Sequence, residues 1–235
     1  MRKIGFSSGA VAFGNFEAAL ATLHESQFPC LELSALRVAE LEPLISALPR
    51  LDLSAYSYIS FHAPSNFSKE EEGWVAETLF RGVPEAWPII LHPDTITDFG
   101  FWRRFGRRLA VENMDRRKPI GRTAHELHPI FAALPDASLC LDLGHARQCD
   151  ASMTEAFLIL SQFGSRLVEV HISEVNSASQ HDPISHGAKI AFQQIARMIP
   201  QNVPIIIESR VGAARLSIEA ARAEEALVPM AILSA

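Results

Sequence analysis

Six apolar runs in this chain stop at an ionisable residue: Ile59-Ser60-Phe61-His62, Ile89-Ile90-Leu91-His92, Leu109-Ala110-Val111-Glu112, Leu139-Cys140-Leu141-Asp142, Val168-Glu169-Val170-His171 and Ile205-Ile206-Ile207-Glu208. Just past the fourth, His145 stands three residues beyond Asp142, and Gly144 between them permits a sharp exit that turns the imidazole back toward the carboxylate. Imidazole and carboxylate so placed form a metal-ligand pair. One histidine at a strand end is more often a hydrogen-bonded structural residue. A repeated arrangement is different, because so many ionisable groups meeting in a low-dielectric pocket would repel or desolvate one another unless cations shared them. The mixture of imidazoles and carboxylates suits Zn²⁺ or Mn²⁺ better than Mg²⁺, which prefers oxygen ligands and retained water.

These residues need elements that bring them to one place. The apolar runs over residues 3–7, 29–33, 58–62, 87–92, 108–112, 139–142, 167–171 and 204–208 read as strands, each followed by a helical segment. Asn15 caps a helix to about Glu25; Val38 to Leu48 follows the second strand, with Pro43 tolerable near a first turn or at a kink. Capping boxes open helices at Ser68 to Glu71, Thr123 to Glu126 and Ser152 to Glu155. Further helices read from about Thr97 to Gly106, Ala188 to Met198 and Ser217 to Leu227. No two strands adjoin as a hairpin, so the helices must cross over between parallel strands. Ser7-Ser8-Gly9-Ala10-Val11 is not the glycine-rich phosphate turn that an open doubly wound sheet places after its first strand. The pattern predicts an α/β protein, a (β/α)₈ TIM barrel forming a single domain over residues 1–235, with the ionisable strand ends facing one mouth.

Composition narrows the classes. Apolar residues at 48% and charged ones at 20% suit a large core under a polar surface. A formal net charge of -6 offers no global attraction to nucleic acid or anionic membrane. Three cysteines without a CxxC pair are a poor basis for a disulfide framework and imply reduced thiols, hence a cytoplasmic setting. The start of the chain runs straight into a strand rather than a signal-peptide core, and no apolar run reaches membrane-spanning length. The most basic stretch, Phe101-Trp102-Arg103-Arg104-Phe105-Gly106-Arg107-Arg108, could present wedge and phosphate contacts to DNA. It leads into the fifth strand, away from the mouth, and reads more simply as an outer helix burying Phe101, Trp102 and Phe105 while its arginines reach solvent. Arg116-Arg117-Lys118 lies on the mouth side, and Arg147 and Arg210 are better placed to touch an anionic substrate. His24, His125 and His128 fall in helices and read as surface or packing residues; Glu32 reads as a metal-ligand support or a hydrogen-bonded barrel residue.

The series His62, His92, Glu112, Asp142, His145, His171 and Glu208 resembles the xylose-isomerase-like TIM barrels, the superfamily that holds endonuclease IV, ketose epimerases and related sugar isomerases. The resemblance spans essentially the whole chain. The epimerase-type pattern implies one divalent metal held by Glu112, Asp142, His171 and Glu208, with His145 contacting substrate. Glu112 and Glu208 would then be the catalytic pair that removes and returns a proton through a metal-stabilised enediolate. The endonuclease IV pattern implies His62 and His92 with Glu112 on one zinc, Glu112, Asp142, His171 and Glu208 on a second, and His145 with His181 on a third. Departures are Ser179 where the nuclease pattern has an aspartate, Ser65 for a tyrosine that contacts DNA, His186 for a glutamate, and Ser173-Glu174 for the Lys-Asp pair of many isomerases. The resulting expectation is a metal-dependent sugar isomerase or epimerase using one to three Zn or Mn ions. Its substrate would be a small sugar or sugar derivative, contacted by His145, Arg147, Arg210 and His186. Alternatives are a multi-zinc phosphodiesterase acting on abasic-site DNA, with nucleic acid the less favoured partner, and a non-catalytic sugar- or metal-binding barrel. Homo-oligomers are compatible with either.

Overall fold

Period-two alternation inside β-branched runs decides what each strand shows to either side. The computed structural model describes residues 2–229. Its strands are β1 (Ile4–Ser7), β2 (Cys30–Ser34), β3 (Tyr58–His62), β4 (Ile89–Leu91), β5 (Leu109–Glu112), β6 (Ser138–Asp142), β7 (Leu167–Ile172), the short β8 (Glu174–Val175) and β9 (His181–Asp182), and β10 (Ile205–Ile207). β1 to β7 and β10 close a barrel in which every pairing is parallel; β8 and β9 form a separate antiparallel ribbon in the loop after β7. The (β/α)₈ expectation holds.

Outward positions such as Phe6, Leu31, Phe61, Ile89, Val111, Leu141, Val170 and Ile207 pack with the helices into one large buried core. The barrel interior is different. Ile90, Ala110 and Cys140 form a small apolar cluster there, and fully buried Glu32, Ser60 and Glu169 share the strands' inward parity. The next inward residue along β3, β5, β6 and β7 is His62, Glu112, Asp142 and His171 respectively. Thus the same alternation that builds the outer core sets a layer of ionisable groups at the carboxyl ends. Gly5 lets β1 approach β2: a Cβ there would lie 1.8 Å from the Cys30 carbonyl oxygen.

One of the three expected capping boxes is complete, Ser68 with Glu71; at Thr123 only half forms, the hydroxyl accepting from Glu126 N while the Glu126 carboxylate accepts from Arg122 N. The third does not form. The helix starts at Thr154 with Met153 as its cap at φ 61°, and Asp150 takes over, accepting from the backbone N–H of Ser152 and of Glu155, each at 3.0 Å. A carboxylate offers two acceptor oxygens to Ser152's one. The predicted helix from Thr97 shortens to Phe99–Arg103, ahead of a 3-10 turn at Gly106–Arg108. Trp102 and Phe105 are buried as expected, but Phe101 is 40% exposed. Pro43 lies inside the helix Val38–Ala47, not in its first turn. Among the described residues no helix is long and apolar enough to cross a membrane.

Candidate metal centre

Glu112 stands at the middle of the mouth, 1% exposed at the end of β5. Its Oε2 lies 3.3 Å from His62 Nε2 and 3.2 Å from His92 Nε2. Its Oε1 lies 3.3 Å from His145 Nδ1 and 3.4 Å from His171 Nδ1. Glu208 Oε2 is 3.5 Å from His171 Nδ1 and 3.4 Å from His181 Nδ1, while Asp142 Oδ2 is 3.3 Å from His145 Nδ1. Four groups of donor atoms within 4.8 Å of one another result among the described residues: His62, His92 and Glu112; Glu112, Asp142, His171 and Glu208; Asp142, His145 and His181; and the fully buried Cys140, Glu169 and His171.

The donor set fits divalent cations. Four ligands at Zn–N or Zn–O bond lengths around one ion sit about 3.3 Å apart along the tetrahedral edge. The separations among Glu112, Glu208, His62, His92, His171 and His181 match that spacing, and most exceed the usual N–H···O range; His145 Nδ1 is occupied by the Asn113 carbonyl, which leaves Nε2 as its ligand atom. Asp142 Oδ2, His171 Nδ1, Glu208 Oε2 and His92 Nδ1 are buried with no hydrogen-bond partner, although buried polar groups are almost always satisfied.

Surrounding groups decide which ring nitrogen is available. His62 Nδ1 donates to the Ala63 carbonyl at 2.7 Å, leaving Nε2 to face Glu112. His145 Nδ1 donates to the Asn113 carbonyl at 3.0 Å. His171 Nε2 donates to Glu169 Oε1 at 2.8 Å, with Glu32 Oε2 at 3.1 Å, so Nδ1 is the free face. Asn113 ties the strand ends together: its Nδ2 donates to the Asp142 carbonyl and its Oδ1 accepts from Asp142 N. Such partners orient a histidine and raise its basicity toward a metal. Glu169→Gln, which keeps the shape and removes the charge, is expected to lower metal affinity about 10- to 100-fold, read by competition with a chromogenic chelator; an unchanged affinity would remove Glu169 from the centre.

The Asp142–His145 pair arises differently from the sequence expectation. Asp142 is the N-cap of the helix Leu143–Cys149, and its Oδ1 accepts from His145 N at 2.7 Å. Gly144 makes no sharp exit. It lies within that helix, where a Cβ would come 2.7 Å from the Ser173 carbonyl oxygen, so it is there for close packing against the chain after β7. Sequence reasoning passed over Glu169, Asn113 and Asp115. For Glu169 a signal was present: a carboxylate two residues before His171, hence on the same face of the strand.

Burial opposes charge throughout the site, and the neighbours decide the outcome. In the metal-free protein burial works against the His62 imidazolium, but Glu32, Glu112 and Glu208 lift its pKa to about 9. His145 is likewise desolvated, yet Asp142, Glu112 and Glu208 raise it to about 10. His181 goes the other way, to about 4, through burial and the His145 charge. Burial pushes Glu112 up, but His171, His145 and His62 hold it well below the usual carboxylate range. Glu208 is raised well above that range by burial, against His171 and with Asp142, Glu112 and Glu32 adding to the rise. A histidine raised on folding adds stability that is whole below its unfolded pKa and lost as pH climbs through its folded one. A lowered histidine removes stability as pH falls below the unfolded value. Chelator-stripped protein should therefore be most stable near pH 6.5 and melt at progressively lower temperature toward pH 10; a melting temperature that rises over pH 7 to 10 would contradict this. Metal binding must displace the same protons, so apparent affinity should increase over pH 7 to 9.

The centre forms the floor of a cavity of about 360 Å³ whose walls include Ser7, Phe13, Arg37, His62, Ser65, His92, Glu112, Asp115, Arg117, Lys118, His145, Ser179, His181, Glu208 and Arg210. Asp142 and His171 lie beneath them, fully buried. Two expected substrate contacts are elsewhere. Arg147 pairs with Glu174 at 2.7 Å and does not line the cavity. His186 is the exposed first residue of the helix His186–Gln193 and faces a separate groove with Lys189, Ile218 and Arg222. Asp182 is held by Asn176 Nδ2 at 2.9 Å. Ser179, at φ 53°, donates to Asp115 Oδ1 at 2.9 Å and accepts from Gln148, which ties the loop before His181 to the loop after β5 and to the helix Leu143–Cys149.

No family model and no curated protein matches the chain. Among solved structures, endonuclease IV from Thermus thermophilus superposes with a TM-score of 0.59 at 18% identity, over 95% of this chain and 99% of that one. An Anabaena variabilis protein assigned provisionally as a sugar phosphate isomerase/epimerase gives 0.58 at 14% identity, over 89% and 84%. The 3-keto-D-glucoside 4-epimerase of E. coli, in its apo form, gives 0.52 at 13%, over 97% and 98%. At these identities the likeness is one of fold: the chain shares the (β/α)₈ barrel of all three.

Proposed function

We propose that this chain is a divalent-metal hydrolase of phosphate esters with a multinuclear centre bridged by Glu112. The observation that carries the reading is the division within that one carboxylate: Oε2 faces His62 and His92 while Oε1 faces His145 and His171. A carboxylate so placed can serve two cations, as in sites that clamp both oxygens of a displacement at phosphorus. Zn²⁺ suits the imidazole-rich set best, and bound ions would lower the pKa of a water and offset phosphoryl charge. The residues themselves supply orientation. His62, His145 and His171 are locked in one tautomer each by Ala63, Asn113 and Glu169. His181 is held by Ser173 Oγ at 2.8 Å. The likeness to endonuclease IV supports a phosphodiester as substrate.

A second reading, a sugar isomerase or epimerase acting on a polyhydroxy carbonyl substrate, is favoured by Glu208. Its side chain is 14% exposed at the mouth, with an unpartnered oxygen and a raised pKa suited to taking up a proton. Proton return on the opposite face would fall to Glu112, whose two oxygens already face ligand sets, and this ranks the reading second.

Metal content after purification without chelator or added metal, followed by two assays, tests the choice. The expected result is two or more equivalents of metal, with cleavage of bis(p-nitrophenyl) phosphate that is lost on chelation and regained with Zn²⁺. A single ion with deuterium exchange into a ketose would establish the isomerase reading instead. Bound metal with neither activity would leave a binding barrel.

A further inference from the structure

The cavity above the centre is lined by four cations, and they are not equivalent. Lys118 Nζ is 2.8 Å from Asp94 and Arg117 Nε is 3.3 Å from Asp115, so both charges are answered within the wall. Arg210, two residues past Glu208, has no carboxylate partner among the described residues. Its guanidinium carbon lies 5.3 Å from the centre of the Phe13 ring. Arg37 reaches the same ring from the loop after β2, also at 5.3 Å. The two guanidinium groups therefore cannot be further apart than twice that distance.

Arg37 is placed by its surroundings. Its Nε donates to Glu40 Oε1, and a Cβ on Gly14, at φ +74°, would come within 2.6 Å of its Nη2. The loop carrying Phe13 has a glycine where the guanidinium passes. Phe13 itself is 60% exposed, a large apolar ring left open at the rim. Attraction between ring face and guanidinium holds both cations over it at little cost in hydration. Two guanidinium groups, one without an ion partner, converge at the rim of a cavity whose floor is built to hold metal.

The geometry points to a second anion subsite formed by Arg37, Phe13 and Arg210, which takes a phosphate or carboxylate group of the substrate distant from the reacting group at the metals. It rests on the metal-centre reading only for which end of the substrate reacts. Substrates would then carry two anionic groups, one at the floor and one at the rim. The Arg210 fork matches either oxyanion bidentately, while Arg37, paired with Glu40 through Nε and Nη2, adds its remaining donor and its charge.

Binding of three probe classes to the metal-bearing protein, measured by isothermal titration, tests the assignment. The probes are propyl phosphate with one anion, the 1,3-propanediol and 1,5-pentanediol bisphosphates with two, and 3-phosphooxypropanoate with a carboxylate at the far end. At least one bisphosphate is expected to bind roughly tenfold tighter than propyl phosphate. That gain should vanish in Arg210→Met and shrink in Arg37→Met, while propyl phosphate is unaffected. Arg107→Met, at the opposite end of the barrel, should change nothing. An equal gain with 3-phosphooxypropanoate assigns the rim to carboxylates as well; a gain with bisphosphates alone assigns it to phosphate. No gain at either spacing, or a gain that survives both substitutions, overturns the subsite. Failure of propyl phosphate to bind, with an arginine-dependent gain still present, would count against the metal-centre reading and leave the subsite standing.

Discussion

Glu112→Gln is expected to abolish turnover, with a loss of at least a thousandfold in kcat, about 4 kcal/mol of transition-state stabilisation. Glutamine keeps the volume and one carbonyl oxygen but presents an amide to one of the two ligand sets. A donor group now faces either His62 and His92 or His145 and His171, and the bridging charge is gone from both. Bound metal should fall by at least one equivalent per chain, because the first set has no other carboxylate. Retention of all metal with full turnover would rule out a bridge. Asp142→Asn gives the graded comparison: Asp142 enters two ligand sets and also caps the helix that carries His145, so metal loss should come with a lower melting temperature.

Glu72→Ala is expected to produce the largest loss of stability outside the site. Glu72 is fully buried in the helix Lys69–Gly82, with no cationic partner in contact. It is instead satisfied by donors from one distant segment: Thr97 N at 2.9 Å, the Thr97 hydroxyl, Asp98 N at 3.2 Å and Trp102 Nε1 at 2.9 Å. Truncation leaves the buried Trp102 indole N–H without an acceptor, turns the donors of exposed Thr97 and Asp98 back to water, and releases the segment that packs Trp102 into the core. The cost should be about 3 kcal/mol, from the one stranded indole N–H and the charge-assisted hydrogen bonds that are lost. For a chain of this size that lowers Tm by about 10 °C. Glu72→Gln retains one acceptor and should cost roughly half as much. Thermal melts of both variants decide the matter, and near-wild-type values for the alanine variant would show that the segment is held by packing alone.

Much of the centre was legible because strand geometry leaves few choices. An apolar run that closes on His62, Glu112, Asp142 or His171 fixes both the end of the barrel and, through the period of two, the inward direction of the side chain. The basic stretch before β5 was legible for the same kind of reason: Trp102 and Phe105 turn to the core because an outer helix has one apolar face. Glu72 was not. A glutamate in the first turn of a helix reads as a surface group favoured by the helix dipole, and nothing local shows that a tryptophan thirty residues away will donate to it. Arg147 and Arg210 make the same point as a pair. Each follows a candidate ligand by two residues, yet Arg147 lies within the helix Leu143–Cys149 and turns to Glu174, while Arg210 lies outside any helix or strand at the rim.

The amino-acid sequence by itself determined the eight-unit parallel barrel and the gathering of histidines and carboxylates at its carboxyl ends, since periodicity and strand polarity act locally. Only the tertiary structure decided how the gathered groups divide the work. That Glu112 turns its two oxygens to different histidine pairs, that Glu169 claims the far nitrogen of His171, and that Arg37 meets Arg210 across Phe13 all depend on side chains from separate strands and loops. Their distances are set by barrel closure and loop path, which no single stretch of the chain encodes.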